Sequence, residues 1–309
     1  MKLSIVTTLF HSAPYVNEFY QRIRKEAEAL TTDFELIFVN DGSPDDALDL
    51  ALALQSEDAR INIIDLSRNF GHHKAIITGL AHATGELVFL IDVDLEEPPE
   101  ILGSFFEMLS KENADVAYGV QSPRHGPWLT RTLANLFYML FLLISDYDIP
   151  SDSLTARLMT RRYVEQLVRH KEHLSNLIGL WEITGFRQVQ VPVRKNPYKG
   201  TSTYTLRRRI AIAIFAITAF SSKPLRYIAY LGLTMTAVCA FYIIYLLINY
   251  FLFHAPVSGW NSLIVSVWFL GGIILFCLGI ISTYLAVIFV ETKNRPYTVI
   301  RQIYVGKKP

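Results

Sequence analysis

Two aspartates separated by one residue are the feature of this sequence best suited to chemistry. Asp92 and Asp94 flank Val93, and the apolar run 87–91 that precedes them predicts a buried β-strand. Carboxylates at the carboxyl end of such a strand can hold a divalent cation against a diphosphate, and their oxygen ligands favour Mg²⁺ or Mn²⁺. The cation would stabilise charge on a departing diphosphate. Because two acidic residues after a strand are also common in solvated turns, the neighbouring motifs decide between these interpretations.

Polar residues follow two other predicted strands. After the apolar run 34–39 comes Asn40-Asp41-Gly42-Ser43, and after the run 61–66 comes Arg68-Asn69-Phe70-Gly71. Asp41 can accept hydrogen bonds from a base or ribose, Gly42 permits a close approach to the backbone, and Arg68 can contact a base or phosphates. The alternative for the first motif is a simple turn in which Ser43 caps a helix. Three successive strand ends therefore predict one ligand-binding rim.

The elements that must position this rim alternate along the chain. Apolar runs that predict strands lie at 3–9, 34–39, 61–66, 87–91, 115–120 and 186–193, and helical patterns lie at 15–30, 45–55, 72–83, 98–110, 129–144 and 161–169. Strands that are apolar throughout indicate a mostly parallel sheet covered on both faces, so the fold class is Rossmann-like α/β. No G-x-G-x-x-G follows the first strand, which argues against a dinucleotide-dependent oxidoreductase.

The remainder of the chain is apolar and basic. Residues 1–190 contain 16 Lys and Arg against 27 Asp and Glu, whereas residues 191–309 contain 13 against one. Two apolar segments, 225–253 and 262–290, exceed the ~30 Å hydrocarbon core at about 1.5 Å rise per residue. Since the basic residues flank these segments and form no separate patch, the sequence predicts a lipid bilayer as partner and no nucleic acid. Cys239 and Cys277 lie inside the apolar segments as small apolar side chains.

Charge also predicts the orientation in the membrane. The link 254–261 contains no Lys or Arg, while basic residues precede the first segment and follow the second, which favours a hairpin with both termini in the cytoplasm. The chain opens directly on a strand, so we expect no signal peptide. The predicted organisation is a cytosolic domain at 1–203, an amphipathic interface helix at 204–224, transmembrane helices at 225–253 and 262–290 within a hairpin at 225–290, and a basic cytoplasmic tail at 291–309. An ordinary core helix is the alternative for 204–224.

Taken in order, the motifs resemble those of the polyprenyl-phosphate glycosyltransferases, the group of dolichyl-phosphate mannose synthase and the bactoprenol glucosyl transferases. The match runs through NDGS, SRNFGHHKA, GLAHATGELVFLIDVDLEEPPE and RLMTRR to the two apolar segments, and so covers nearly the whole chain. The resemblance implies a GT-A fold, a nucleotide-sugar donor, Mg²⁺ or Mn²⁺ and inverting transfer to a lipid phosphate. The enzyme would lie in the inner (cytoplasmic) membrane as a multi-pass protein, and its assembly into a homo-oligomer stays open.

The resemblance also implies roles for individual residues. Asp92 and Asp94 would hold the metal and the diphosphate, and Asp41 would contact the nucleoside. The other implied substrate-binding residues are Thr8, Phe10, Gly42, Arg68, Val93, Arg124, Arg131, Lys199, Ser202 and Arg207. The segment 199–204 is similar to the family's glycine-serine-lysine-tyrosine stretch, in which Thr203 here replaces the lysine. Lys199 and Arg207 would supply its charge, and contacts with lipid headgroups are the alternative.

One departure from the family concerns the acceptor side. Relatives read glycine-aspartate-phenylalanine-arginine at 154–157, and their aspartate, the candidate for orienting or deprotonating the acceptor, falls on Thr155. Either a phosphate acceptor, already an anion, needs no base, or an aspartate of the same loop replaces it. The loop offers Asp146, Asp148 and Asp152. We predict Asp152, together with Asp94 and the retained Arg157, as the catalytic set.

The sequence therefore predicts transfer of a monosaccharide from a nucleotide-sugar to polyprenyl (undecaprenyl) phosphate, for cell-surface polysaccharide or lipid modification. The alternative is a non-catalytic paralogue that binds a nucleotide-sugar or a lipid phosphate, suggested by Thr155 and opposed by the intact aspartate pair. The sequence lacks the glutamine-x-x-arginine-tryptophan motif and the additional spans of a processive synthase. His72 is expected near the donor base or as a turn cap, because two adjacent histidines seldom chelate one ion.

Overall fold

The computed structural model describes residues 1–121, 153–170, 177–196, 221–253, 259–293 and 295–306. These residues fall into two units, an α/β unit and a pair of long helices. The predicted interface helix at 204–224 lies outside the described residues except for its last four positions. The predicted helix at 129–144 lies outside them altogether.

A mixed sheet forms the centre of the α/β unit. Its strands in the described residues are β1 (Leu3–Leu9), β2 (Phe34–Asn40), β3 (Ile61–Leu66), β4 (Leu87–Leu90), β5 (Val116–Gln121), β6 (Ser153–Thr160), β7 (Gln188–Val193) and β8 (Ile300–Tyr304). They lie in the order β7-β5-β6-β4-β1-β2-β3-β8. Strands β4, β1, β2 and β3 are parallel neighbours, whereas β6 runs antiparallel to β4 and β5, and β8 antiparallel to β3.

Helices cover the sheet through apolar stripes. They are α1 (Ala13–Leu30), α2 (Ala47–Glu57), α3 (His72–His82), α4 (Ile101–Lys111), α5 (Arg161–Leu167) and α6 (Leu177–Ile183). In α1 the buried residues are Val16, Phe19, Tyr20, Ile23 and Ala27, a three-and-four spacing that places them on one helix face. This face packs into the same core as alternate residues of the buried strands β1 and β2, which are Leu3, Ile5, Leu9, Phe34, Leu36 and Phe38. The fold class predicted from the strand and helix periodicity is confirmed.

The strand directions create the rim that the sequence predicts. Because β1 to β4 are parallel, their carboxyl ends meet at one edge of the sheet, and the polar motifs after β2, β3 and β4 follow there. The antiparallel strand β6 begins at this edge, since Leu90 at the end of β4 pairs with Arg157. The segment around Thr155 is thereby brought beside the Asp92–Asp94 loop.

Three elements of the structure are absent from the prediction: β6, α6 and β8. The sequence predicts a basic tail at 291–309, but Ile300–Tyr304 joins the sheet as β8 beside β3. Arg301 lies 3.3 Å from the buried carboxylate of Asp65 and donates to the Ser67 carbonyl at 2.8 Å. The apolar pattern of β8 is irregular. Its pairing depends on these contacts with β3, which lies more than 230 residues earlier in the chain, so the local sequence does not predict the strand.

The second unit consists of α7 (Lys223–Phe253) and α8 (Trp260–Thr292). The segments Lys223–Tyr242 and Ser266–Thr292 are long and apolar enough to cross a membrane, by length and composition. Their large side chains face outward, with Phe241 73% and Trp268 79% exposed. Within this unit the Tyr284 hydroxyl donates to the Ser221 carbonyl at 2.8 Å. An exposed apolar surface of this extent fits a lipid environment better than water.

Candidate active site

The Asp92–Asp94 loop leaves β4 and is anchored by apolar side chains. Val93 is 5% exposed and belongs to the hydrophobic core, so it fixes the backbone between the two carboxylates. Leu95, also buried, has φ +62, a left-handed conformation that costs a non-glycine residue about 1–2 kcal/mol. Strain of this kind persists only where the surroundings enforce it, so the loop has a defined conformation.

Residues after β7 hold the strained loop in place. The backbone N–H of Asn196 donates to the Glu96 carbonyl at 2.9 Å, and its side-chain amide donates to the Leu95 carbonyl at 2.8 Å. The Lys195 ammonium lies 3.1 Å from the Glu96 carboxylate and 3.8 Å from that of Glu97. Lys195 and Asn196 are not predicted from the sequence, since only the pairing of β7 with β5 carries them toward this edge of the sheet.

The carboxylates of this loop are crowded. Burial raises the pKa of Asp94, the N–H of Glu96 lowers it, and the negative charges of Asp92 and Glu96 raise it further. Asp94 accepts a hydrogen bond from the Glu96 N–H at 3.0 Å. A cation placed among these oxygens would relieve their mutual repulsion, and oxygen donors suit Mg²⁺ or Mn²⁺.

The residues present fit a divalent cation as a partial set of ligands. Asp92 and Asp94 would hold it, Asp92 with a side chain 27% exposed. No group of three His, Cys, Asp or Glu side chains arranged for a metal ion occurs in the part of the chain that the structure describes. Two carboxylates leave coordination positions for diphosphate oxygens and water, the usual arrangement for Mg²⁺ at a phosphate substrate.

Glu97 connects this loop to the acceptor-side segment. Its carboxylate, 2% exposed, accepts the N–H of Ala156 at 2.7 Å and that of Thr155 at 3.3 Å. Burial raises the pKa of Glu97 to about 7, the charge of Asp92 adds to the rise, and Lys195 and the two N–H groups oppose it. Thr155 thus lies directly against a carboxylate from the neighbouring loop.

Arg157 is buried within β6. Its guanidinium lies over the Trp181 ring, 3.0 Å from the ring centroid, and donates to the Leu154 carbonyl at 3.3 Å. The side chain is 1% exposed, and burial lowers the pKa of Arg157 to about 9. Its Nε has no hydrogen-bond partner among the described residues. In this conformation Arg157 braces the segment at 153–157 from beneath, which supports a positioning role and leaves direct catalysis a prediction.

The loops after β2 and β3 are joined by Asp41. Its buried carboxylate accepts the N–H of Phe70 at 2.7 Å and that of Gly71 at 3.0 Å. Burial raises the pKa of Asp41, and these two N–H groups oppose the rise. Gly42 has φ +60, and a Cβ there would lie 2.6 Å from the backbone of Arg68. The contact with the nucleoside expected of Asp41 stays a prediction, since here the side chain organises the next loop.

The remaining described candidates lie around the end of β1. Thr8 is 8% exposed, and its hydroxyl is 3.1 Å from Nδ1 of His72. Phe10 is 47% exposed and contacts the ring of His11 edge-on. The Arg68 guanidinium lies 4.2 Å from the Phe70 ring centroid. His72 lies with Nε2 3.3 Å from the Asp92 carboxylate, and its expected place near the donor base or as a turn cap stays a prediction.

The other predicted site residues lie outside the described residues. They are Arg124, Arg131, Asp146, Asp148, Asp152, Lys199, Ser202 and Arg207. The roles predicted for them on the acceptor and phosphate side therefore stay predictions.

A separate cavity of about 520 Å³ lies toward the opposite edge of the sheet. Lys2, Glu35, Arg60, His82 and Gly306 are among the residues that line it. Lys2, Glu35 and Arg60 lie at the amino ends of parallel strands, His82 ends α3, and Gly306 follows β8. The candidate active site is therefore identified by the polar side chains of the loops after β2, β3 and β4, and this cavity is not part of it.

Comparison with known proteins identifies the family. The description "Glycosyl transferase family 2" matches residues 4–168. A Mycobacterium tuberculosis protein named "Putative glycosyltransferases" is 50% identical over 98% of this chain and 89% of that protein. The SfII prophage-derived bactoprenol glucosyl transferase of Shigella flexneri is 33% identical over 99% of both chains. Among solved structures, Staphylococcus aureus TarS 1–349 in complex with UDP-GlcNAc gives a TM-score of 0.49 at 16% identity, covering 71% of this chain and 66% of that chain.

The chain belongs to glycosyl transferase family 2. It is a glycosyltransferase, and its GT-A-like α/β domain carries the aspartate pair at the carboxyl edge of the sheet. The resemblance to polyprenyl-phosphate glycosyltransferases is confirmed at the level of the family and of its named relatives.

Proposed function

We propose that this enzyme transfers a monosaccharide from a nucleotide-sugar to undecaprenyl phosphate at the cytoplasmic face of the membrane. The observation that carries the proposal is the Asp92–Asp94 pair at the carboxyl edge of the sheet, in a chain that also has two helices of membrane-crossing length. The 33% identity to a bactoprenol glucosyl transferase extends over 99% of this chain, so the alignment includes both helices. This similarity supports a lipid acceptor. The product would serve cell-surface polysaccharide or lipid modification.

The chemistry follows from an acceptor that is already an anion. A phosphate oxygen of the lipid attacks the anomeric carbon and forms a new C–O bond, while the bond from that carbon to the diphosphate breaks. The nucleoside diphosphate departs with the electron pair, and attack from the opposite side inverts the anomeric centre. A divalent cation on Asp92 and Asp94 would supply charge stabilisation for the departing diphosphate.

The absence of an aspartate at position 155 is consistent with this reaction. A phosphate near neutral pH needs no strong base, so the task of the segment at 153–157 is to position the acceptor. Glu97 fixes the backbone of Thr155 and Ala156, and Arg157 braces it through Trp181. Asp152 remains the predicted candidate for contact with the acceptor.

The proposed topology is a hairpin with the catalytic unit and both termini in the cytoplasm. The chain leaves the α/β unit before α7 and belongs to it again at β8, which pairs with β3. Two crossings return a chain to the side from which it started, whereas one crossing does not. The basic residues beside both helices favour the cytoplasm for that side.

Transfer to lipid is the test of the proposed function. Membranes containing the enzyme receive undecaprenyl phosphate, Mg²⁺ or Mn²⁺, and labelled UDP-, GDP- or dTDP-sugars in turn. We expect one donor to place label in the lipid phase. Asp94→Asn should lower the rate by at least about 100-fold, since it removes a ligand of the charge-stabilising cation.

Glu57→Gln, an exposed acid at the end of α2, is the matched control and should keep the wild-type rate. Donor binding without transfer from any sugar would contradict the proposal and favour the non-catalytic paralogue. Equal rates for Asp94→Asn and the wild type would remove the aspartate pair from the mechanism.

A further inference from the structure

A chain of hydrogen-bonding groups joins three elements of the rim. Thr8 lies near the end of β1, His72 is the first residue of α3, and Asp92 follows β4. The Thr8 hydroxyl oxygen is 3.1 Å from His72 Nδ1, and His72 Nε2 is 3.3 Å from Asp92 Oδ1. Both ring nitrogens of His72 thus lie close to polar groups of the protein, although its side chain is 45% exposed.

The two ring nitrogens of a neutral imidazole have opposite roles. One carries a proton and donates, and the other accepts. When the Thr8 hydroxyl donates to Nδ1, the proton lies on Nε2, the ring nitrogen that is 3.3 Å from Asp92 Oδ1. The second carboxylate oxygen of Asp92 then keeps its lone pairs for another partner.

The start of α3 gives His72 this direction. Gly71 precedes the helix with φ +99, a conformation that a side-chain-bearing residue rarely adopts. The next residue in the helix, His73, faces elsewhere, because its Nδ1 accepts the N–H of Leu177 at 3.4 Å. Two adjacent histidines of the same chemistry therefore have different partners: His72 contacts Asp92, and His73 contacts the start of α6.

We infer that His72, braced by Thr8, is a positioning residue that orients Asp92 toward a divalent cation. The inference rests on the proposed function in taking Asp92 as a metal ligand, and it extends that function by assigning a second layer of support. Groups that hydrogen-bond to a metal ligand fix its orientation, and their loss commonly lowers metal affinity by about 10–100-fold.

The test measures Mn²⁺ binding to the purified full-length protein in nanodiscs by electron paramagnetic resonance, with Mn²⁺ alone and with Mn²⁺ plus UDP. We expect His72→Ala to weaken Mn²⁺ binding by about 10–100-fold. His72→Gln retains an N–H donor and should recover part of the affinity. His73→Ala is the matched control and should stay within about twofold of the wild type, because His73 contacts α6.

Thr8→Val separates the brace from the contact itself. It removes the hydroxyl at nearly constant volume, so it should weaken Mn²⁺ binding less than His72→Ala does. In the double variant that combines Thr8→Val with His72→Ala, the Thr8 change should cause little additional loss of Mn²⁺ affinity, since Thr8 acts only through His72.

An unchanged Mn²⁺ affinity in a folded His72→Ala protein would overturn the inference. An equal loss of affinity in His72→Ala and His73→Ala would also overturn it, because it would indicate general damage to the start of α3. Thermal unfolding of each variant establishes that it is folded. Wild-type Mn²⁺ binding that does not depend on Asp92, tested with Asp92→Asn, would overturn it as well. Mn²⁺ binding that depends on both Asp92 and His72, without sugar transfer, would support the inference while the proposed function failed.

Discussion

Glu97 is the residue that couples the two halves of the candidate site. Its carboxylate comes from the loop that follows Asp92 and Asp94, yet both of its hydrogen bonds go to the backbone at Thr155 and Ala156. A buried carboxyl group that accepts two N–H groups holds a loop more firmly than a side chain on the surface can. A change at Glu97 should therefore alter the acceptor side while leaving the aspartates in place.

The raised pKa of Glu97 makes stability depend on pH. In the folded protein this pKa is about 7, against 4.5 for an exposed glutamate, so between these values the folded state retains a proton that the unfolded state has lost. Stability therefore falls as pH rises from about 4.5 to 7, by up to about 3 kcal/mol at 1.36 kcal/mol per pKa unit. Glu97→Gln removes this dependence.

Thermal unfolding of wild type and Glu97→Gln in EDTA, across pH 4.5 to 8, checks this prediction at about half-unit steps. The wild type should lose Tm relative to the variant as pH rises. Glu35→Gln, another largely buried carboxylate but at the opposite edge of the sheet, is the control. Parallel Tm curves for wild type and Glu97→Gln would show that Glu97 titrates normally.

At the scale of elements, β8 adds a distant segment of the chain to the edge of the sheet. The strand is short, and its contacts with β3 include the ion pair of Arg301 with the buried Asp65. Gln55 of α2 donates to the Tyr304 carbonyl at 2.9 Å. The next residues run close to the loop before β3, since a Cβ on Gly306 would lie 2.0 Å from the Ala59 carbonyl oxygen.

Gly306→Ala should loosen β8 from β3. The added methyl group meets backbone and not a flexible side chain, so the strand end must move away from Ala59. We expect faster amide hydrogen exchange in Ile300–Tyr304 and a loss of about 1–3 kcal/mol in stability. Gly103→Ala in α4, where no atom lies within 4 Å of the added Cβ, is the control and should not speed exchange in β8. Unchanged exchange in the Gly306 variant would contradict the prediction.

At the scale of the whole molecule, the acidic α/β domain and the basic apolar helices have separate tasks. The domain offers the carboxylate rim, and the helices provide a surface that favours lipid. A hairpin brings an enzyme to a lipid substrate and keeps the soluble nucleotide-sugar on the side where it is made. Both requirements depend on which side of the membrane the link between α7 and α8 faces.

Labelling with a membrane-impermeant maleimide tests this topology. In a background with Cys239 and Cys277 changed to Ala, Gly259→Cys in the link should be labelled in intact cells. Glu57→Cys in the α/β domain should be labelled only after the membrane is opened, because the domain would face the cytoplasm. Labelling of Glu57→Cys alone in intact cells would reverse the orientation, and labelling of both sites or of neither would show that the link and the domain lie on the same side of the membrane.

Much of this organisation could be predicted from local patterns. The periodicity of apolar residues identified β1 to β5, the helices between them and the two long apolar helices, because burial of one face or of a whole strand imposes a short repeat. The Asp92–Asp94 motif was recognisable for the same reason, since it directly follows such a strand. β6 and the short α6 lack a comparable pattern.

What only the tertiary structure decided is the set of contacts between distant segments. The pairing of β6 with β4 brings Glu97 to Thr155, the pairing of β7 with β5 brings Lys195 to Glu96, and the start of α3 brings His72 to Asp92. The sequence by itself determined the family, the fold class and the carboxylates, because these follow from residue types and short spacings. The partners of the carboxylates depend on which strands are neighbours, and strand order is fixed by packing of the whole sheet.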